Sequence, residues 1–324
     1  MTNKTQETKP RTAKPGPLTL SRKPNQDPLV DNLYTLMRRS FLTARARGKA
    51  LGAYEGIART WSQMCAEPWV QGTLFQKESE LARKFLRETR IPTKDPEGAV
   101  RRSLSAQGWT RIFGVVLEQL ERREFAAFCT VTGKQHLDAA LAAGRGVVVA
   151  HTHTLLGELF WTWLDHAGID RGITLLQWAF TKTAEQAADP KIRAIETARE
   201  LKTCMDLLRS GGLVHAFGDG QDGREAIKLA VHNRLRPYRV GWATMAVSAK
   251  SPVITAAVAL GAGGRVSIMI GPQIGDDTPG LTDKQQVDAL VRAYAKHHEK
   301  LWLARPANIT AYHMKQHVDF PPAA

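Results

Sequence analysis

From residue 28 to about residue 125 the apolar positions recur every three or four residues. "DNLYTLMRRSFLTARARGKALGAYEGIARTWSQM" carries Leu33, Leu36, Met37 and Phe41 at that spacing. This is the signature of helices with one apolar stripe. "QKESELARKFLRETR" and "WTRIFGVVLEQLERREF" repeat it, and the Pro- and Gly-marked "RIPTKDPEG" between them reads as a loop. The pattern changes after "GKQHLDAALAAGRG". Gly144 and Gly146 stop a helix and launch the apolar run "VVVA". From there short, near-continuous apolar runs alternate with helical ones. "ITLLQW" (173–178), "LVHAF" (213–217), "VITAAVAL" (253–260) and "VSIMIG" (266–271) predict strands. "IRAIETARELKTCMDLLRS", "YRVGWATMAVSAK" and "KQQVDALVRAYAKHHEKLWLA" predict the intervening helices.

Strands that are apolar on both faces and separated by helices predict an α/β fold: a mostly parallel central sheet sandwiched by helices. The expected organisation is a disordered basic tail (1–28), a helical N-terminal region (29–125), an α/β domain (126–305) and a C-terminal tail (306–324).

Composition narrows the classes. Of 324 residues, 43% are hydrophobic and 23% charged, which suits a globular chain with a sizeable core. The three cysteines, Cys65, Cys129 and Cys204, are far apart and form no CxxC or zinc spacing. A reducing compartment without a disulfide framework is expected. No apolar run approaches the roughly 18–20 residues of a membrane span, and the opening "MTNKTQETKPRTAKPGPLTLSRKP" has no signal-peptide core. A cytoplasmic protein, peripheral on the membrane face at most, is the expectation. The formal net charge is +14, so acidic partners are attracted. No helix-turn-helix, zinc-finger or RNP-type signature accompanies that charge, which argues against nucleic acid as the partner.

The candidate chemistry sits in "VVVAHTHTLLGELF". In open α/β sheets ligands bind beyond the carboxyl ends of the strands. His151 and His153 follow one strand there, and "GDGQDG" (218–223) follows another, so both clusters can share a cleft. Glu158 lies five residues beyond His153. Along one continuous helix that offset turns two side chains about 140° apart. The pair therefore meets if His153 sits in the loop and folds back. A carboxylate on one imidazole nitrogen fixes the tautomer and leaves the other nitrogen to take a proton.

The H-x4-E pattern of "HTLLGE", after a Val-rich strand, resembles the H-x4-[DE] motif of the lysophospholipid and lipid A biosynthesis-type acyltransferases. "SGGLVHAFGDGQDG" and "VHNRLRPYRVGWATMAVSAKSPVITAAVAL" follow in the order in which that superfamily shows a D-Q-D element, a Gly-Arg loop, a small-residue helix and an apolar strand. The resemblance spans roughly residues 130–305. The chain departs from the pattern at Leu155-Leu156-Gly157, where the lipid A branch has Gly-Asn-Trp. The resemblance implies His153 as general base and Glu158 as its orienter. It also implies Asp219, Gln221 and Asp222 as residues shaping the cleft. A cation for the oxyanion or a phosphate is expected from Lys182 or Arg193, with Arg224, Arg236 and Arg239 as rivals. No metal or other cofactor is implied. The partners implied are an acyl-ACP or acyl-CoA donor and a lipid-like acceptor, with peripheral contact to anionic membrane.

Two other readings follow from the same residues. His-x-His after a strand also resembles the metal motif of amidohydrolases and related phosphoesterases, in which His151 and His153 would both be ligands. The chain has too few regular βα units for that eight-fold barrel. A non-enzymatic basic binding module is the other. His297 and His298 are expected on the exposed side of the late helix, and His313 and His317 as solvated residues of a polar tail.

Overall fold

The computed structural model describes residues 28–117, 126–157, 159–176, 192–194, 198–220, 225–261, 264–275 and 280–323. The tail expected over 1–28 lies outside them except for Pro28. The N-terminal region is helical: α1 (Pro28–Ala46), α2 (Ala50–Ala66), α3 (Pro68–Thr73), α4 (Gln76–Thr89) and α5 (Pro96–Leu117). Its periodicity produces the expected stripes. α2 buries Tyr54, Ala58, Trp61 and Cys65, and α4 buries Ser79, Ala82, Phe85 and Thr89. Both sets advance by three or four residues, one turn at a time.

The chain then alternates: β1 (Cys129–Thr132), α6 (Lys134–Ala142), β2 (Val147–His151), α7 (Leu159–His166), β3 (Gly172–Leu176), β4 (Ile192–Ala194), α8 (Ala198–Arg209) and β5 (Leu213–Phe217). A two-stranded ribbon, β6 (Ala226–Val231) and β7 (Arg234–Arg239), precedes α9 (Gly241–Ala249). β8 (Val253–Leu260), β9 (Val266–Ile274), α10 (Asp283–Ala304) and α11 (Ala311–Asp319) complete it. The seven-stranded sheet runs β1-β9-β8-β2-β5-β3-β4. Every neighbouring pair is parallel except β8 with β9.

Both faces of the sheet are covered, as the unbroken apolar runs require. Val147 and Val149 of β2 pack with α2, α4, α6 and α7 on one face. Val148 and Ala150 pack with α8, α9 and α10 on the other. The N-terminal helices are tied to the sheet through the Tyr54 hydroxyl, which donates to the Gly264 carbonyl and accepts from Trp109 Nε1 at 3.0 Å. Gly264 has φ +76°, and a Cβ there would stand 2.8 Å from that of Ala58. Only glycine lets the two layers approach so closely.

Three expectations are corrected. Ile192–Ala194, expected to begin a helix, forms the strand β4. Tyr238 and Arg239, expected in the following helix, close the ribbon. Residues 306–323, expected as a polar tail, contain α11. Its Met314 and Val318 enter the same core as Phe85 and Trp302.

Candidate functional site

β2 and β5 are adjacent and parallel, with His151 opposite Phe217, so the segments that leave them emerge side by side. The Gly218 amide donates to the His151 carbonyl at 2.9 Å. The Tyr294 hydroxyl of α10 donates to the same carbonyl at 3.1 Å and lies 2.9 Å from Thr152 Oγ1. A Cβ on Gly218 would lie 2.5 Å from the Tyr294 ring, so this close approach needs glycine.

These ties bring His153 onto Asp219. The His153 backbone amide donates to both carboxylate oxygens of Asp219, at 3.0 and 3.2 Å. The His153 Nδ1 lies 2.8 Å from Asp219 Oδ1. The imidazole is held between two rings: Phe217 at 3.8 Å and 15°, and His313 at 4.6 Å and 27°. Its side chain is 27% exposed, whereas Asp219 is fully buried. Nε2 of His153 has no hydrogen-bond partner among the described residues. The result is an oriented imidazole whose Nδ1 is occupied by Asp219.

Burial by itself would raise the Asp219 pKa. The adjacent His153 imidazole and the contacts from His153 and His298 outweigh it and hold the carboxyl well below its ordinary value. Three further groups surround the carboxylate. The His298 Nε2 is 3.4 Å from Oδ2. The Arg236 Nη2 donates to the Asp219 carbonyl at 3.2 Å and lies 3.9 Å from Oδ2. The Arg236 guanidinium is boxed by Trp302, Phe320 and Tyr238, at 5.1 to 5.8 Å. His313 is fixed at the start of α11, where its backbone amide donates to the Thr310 hydroxyl, and its Nδ1 is 2.7 Å from that oxygen.

His151 is a different kind of group. It is fully buried among Phe160, His215 and Phe217, 5.0 to 5.4 Å between ring centres. Neither ring nitrogen has a hydrogen-bond partner among the described residues. Burial pulls its pKa well below the ordinary histidine value, with His215 adding to the effect. Among the described residues, the three side chains whose ligand atoms lie within 4.8 Å of one another are His153, Asp219 and His313; His151 is not among them.

Of the expected site residues, the structure therefore brings together His153 and Asp219. Glu158, Lys182, Gln221, Asp222 and Arg224 lie outside the described residues. Arg193 is in β4, where the backbone alone is described. Arg236, a rival for the oxyanion cation, is fully buried behind Asp219. His298 is fully buried and His297 half-buried, and His313 and His317 are buried in α11, which corrects the solvated placement expected for all four. The signal for His298 was present. α10 buries Leu290, Val291, Tyr294, Ala295, His298 and Trp302, one apolar stripe that includes the histidine. Among the described residues no helix is long and apolar enough to cross a membrane.

Neither a protein-family model nor a curated protein matches the sequence. Among solved structures, the chain is similar to the crystal structure of the 1-acyl-sn-glycerophosphate (LPA) acyltransferase PlsC from Thermotoga maritima. The TM-score is 0.39 and the identity 12%, over 85% of this chain and 99% of that one. At that level of likeness, the roles of individual residues rest on the geometry of this chain.

Proposed function

We propose that the protein is an acyltransferase that moves a fatty acyl group from a thioester donor, acyl-ACP or acyl-CoA, to a hydroxyl or amine of a lipid-like acceptor. The observation that carries this reading is the His153–Asp219 pair at 2.8 Å. Asp219 orients the ring and stabilises the imidazolium. His153 Nε2 takes the proton of the acceptor O–H or N–H as the oxygen or nitrogen attacks the thioester carbonyl. The tetrahedral intermediate collapses by breaking the C–S bond, and the imidazolium returns the proton to the departing thiolate. This is the logic of a catalytic triad with the acceptor in place of a serine. With Nδ1 taken by Asp219, only Nε2 is left for the pairing with Glu158 that the H-x4-E spacing suggests. We therefore give the orienting role to Asp219. Lys182 and Arg193 stay the proposed cations for the oxyanion. The basic balance of the chain favours encounter with an acidic carrier protein or an anionic membrane face.

The test is incubation of the purified protein with labelled acyl thioesters and a metabolite extract, followed by mass spectrometry. New acylated products with release of free thiol are expected. A second reading, a metal-dependent hydrolase, draws on the His153, Asp219 and His313 cluster in place of the His151 and His153 set. Stoichiometric zinc, manganese or iron in active protein, with activity lost on chelation, would overturn acyl transfer in its favour.

A further inference from the structure

We infer that His298, fixed by Tyr238, is a positioning residue that locks the Asp219 carboxylate against His153; the inference rests on the proposed role of His153. Asp219 Oδ1 faces His153 Nδ1. Rotation of the carboxylate about its Cβ–Cγ bond would swing Oδ1 off that nitrogen. Oδ2 resists the rotation through two contacts: the His153 backbone amide donates to it at 3.2 Å, and His298 Nε2 stands 3.4 Å from it. The other side of His298 is also held, since its Nδ1 is 2.8 Å from the Tyr238 hydroxyl. Burial pulls His298 down to about 4, so the ring is neutral near pH 7 and carries one N–H. Burial pushes the Tyr238 phenol up, so it keeps its proton and can donate. The self-consistent arrangement has Tyr238 O–H donating to Nδ1, which leaves the ring proton on Nε2. Among the described residues Nε2 makes no hydrogen bond, and its tie to Asp219 Oδ2 at 3.4 Å is electrostatic.

His298 and Tyr238 have no accessible surface, so neither can touch a substrate. Any influence on the reaction must pass through Asp219. His298 is itself braced by the Trp302 and Tyr294 rings, at 4.5 and 6.2 Å. The chain Tyr238–His298–Asp219–His153 thus joins the ribbon, α10 and the two strand ends of the sheet. A packing role alone would explain the burial of His298. It would not require Nδ1 to meet the Tyr238 hydroxyl while Nε2 lies 3.4 Å from the carboxylate.

The experiment uses the full chain labelled with 15N-histidine and compares wild type with His298→Leu, His298→Gln and Tyr238→Phe. Nitrogen shifts report the tautomer of His153, and thioester consumption reports kcat and KM. In the wild type His153 is expected as the Nδ1–H tautomer. In His298→Leu it moves toward the usual Nε2–H form, and kcat falls on the order of 10- to 100-fold, the usual effect of losing an outer-shell partner, while KM stays within about twofold. His298→Gln, whose amide Nε2 can present an N–H to Oδ2, keeps the tautomer and most of kcat. Tyr238→Phe removes one hydroxyl, folds even if the leucine variant does not, and shifts both readouts in the same direction by less. An unchanged His153 tautomer in His298→Leu and Tyr238→Phe, or equal losses in the leucine and glutamine variants, overturns the inference. If the wild type consumes no thioester, acyl transfer fails as a reading while the tautomer comparison still decides the role of His298.

Discussion

His151 and His153 stand two residues apart and have opposite surroundings. The first is sealed among aromatic rings with both nitrogens unpartnered among the described residues; the second is half open and paired with a carboxylate. A buried polar group without a partner costs about 1–3 kcal/mol. His151→Leu is therefore expected to melt no lower than wild type and to keep most of its turnover. His153→Ala should lose about 100-fold or more, the usual worth of a general base. Asp219→Asn should approach that loss and Glu158→Gln should not. Equal losses from those two would return the orienting role to Glu158. The sequence alone pointed to His153, through its place after an apolar strand and the spacing to Glu158. It did not identify Asp219 as the partner of His153. That contact is made by the pairing of β2 with β5, and no local spacing encodes it. His298 and His313 were missed because their polarity outweighed their position in an apolar stripe.

Strands β2, β5 and β8 were legible because a strand covered on both faces must be apolar throughout. The ribbon was harder to read. β6 alternates exposed and half-buried positions, and β7 buries Arg236 and Tyr238, so neither has an apolar run. Its signal was the two-residue connection His232-Asn233, both with positive φ, at 44° and 63°. That is the geometry of a type I′ hairpin turn. α11 was hidden by its composition, yet it carries His313 into the site. Phe85 of α4 anchors that end of the molecule, meeting Trp302 at 5.6 Å and His317 at 5.9 Å, edge to face. Phe85→Ala is expected to cost about 3–5 kcal/mol, as for a large side chain removed from a closed core. Because α11 loosens with it, turnover should fall as well. Urea denaturation together with thioester assays in native conditions measures both. A loss of stability with turnover unchanged would detach α11 from the chemistry.

At the scale of the whole molecule the histidines set a pH limit. Burial pulls His215 to about 3, His298 to about 4 and His317 to about 3. An unfolded chain titrates its histidines near 6.5. Between that value and the folded values the unfolded state binds more protons, so stability falls as the pH falls. Each such histidine contributes a slope of about 1.4 kcal/mol per pH unit. The three together give roughly 4 kcal/mol per unit below about pH 6. Asp219, with its depressed pKa, loses its stabilising charge further down, in the same direction. The urea midpoint should therefore drop steeply between pH 7 and pH 5. A midpoint that stays level across that interval would mean these histidines are protonated in the native state.

The groups around Asp219, which follows β5, come from positions 153, 236, 298 and 313, in the loop after β2, in β7, in α10 and in α11. Contacts between distant parts of a chain close late, because each loop must lose its entropy before the contact repays it. The N-terminal helices and the individual apolar strands can form from local sequence. The carboxylate socket exists only once the ribbon, α10 and α11 have docked on the finished sheet. A refolding chain should thus regain its helical circular dichroism first and its catalytic competence last.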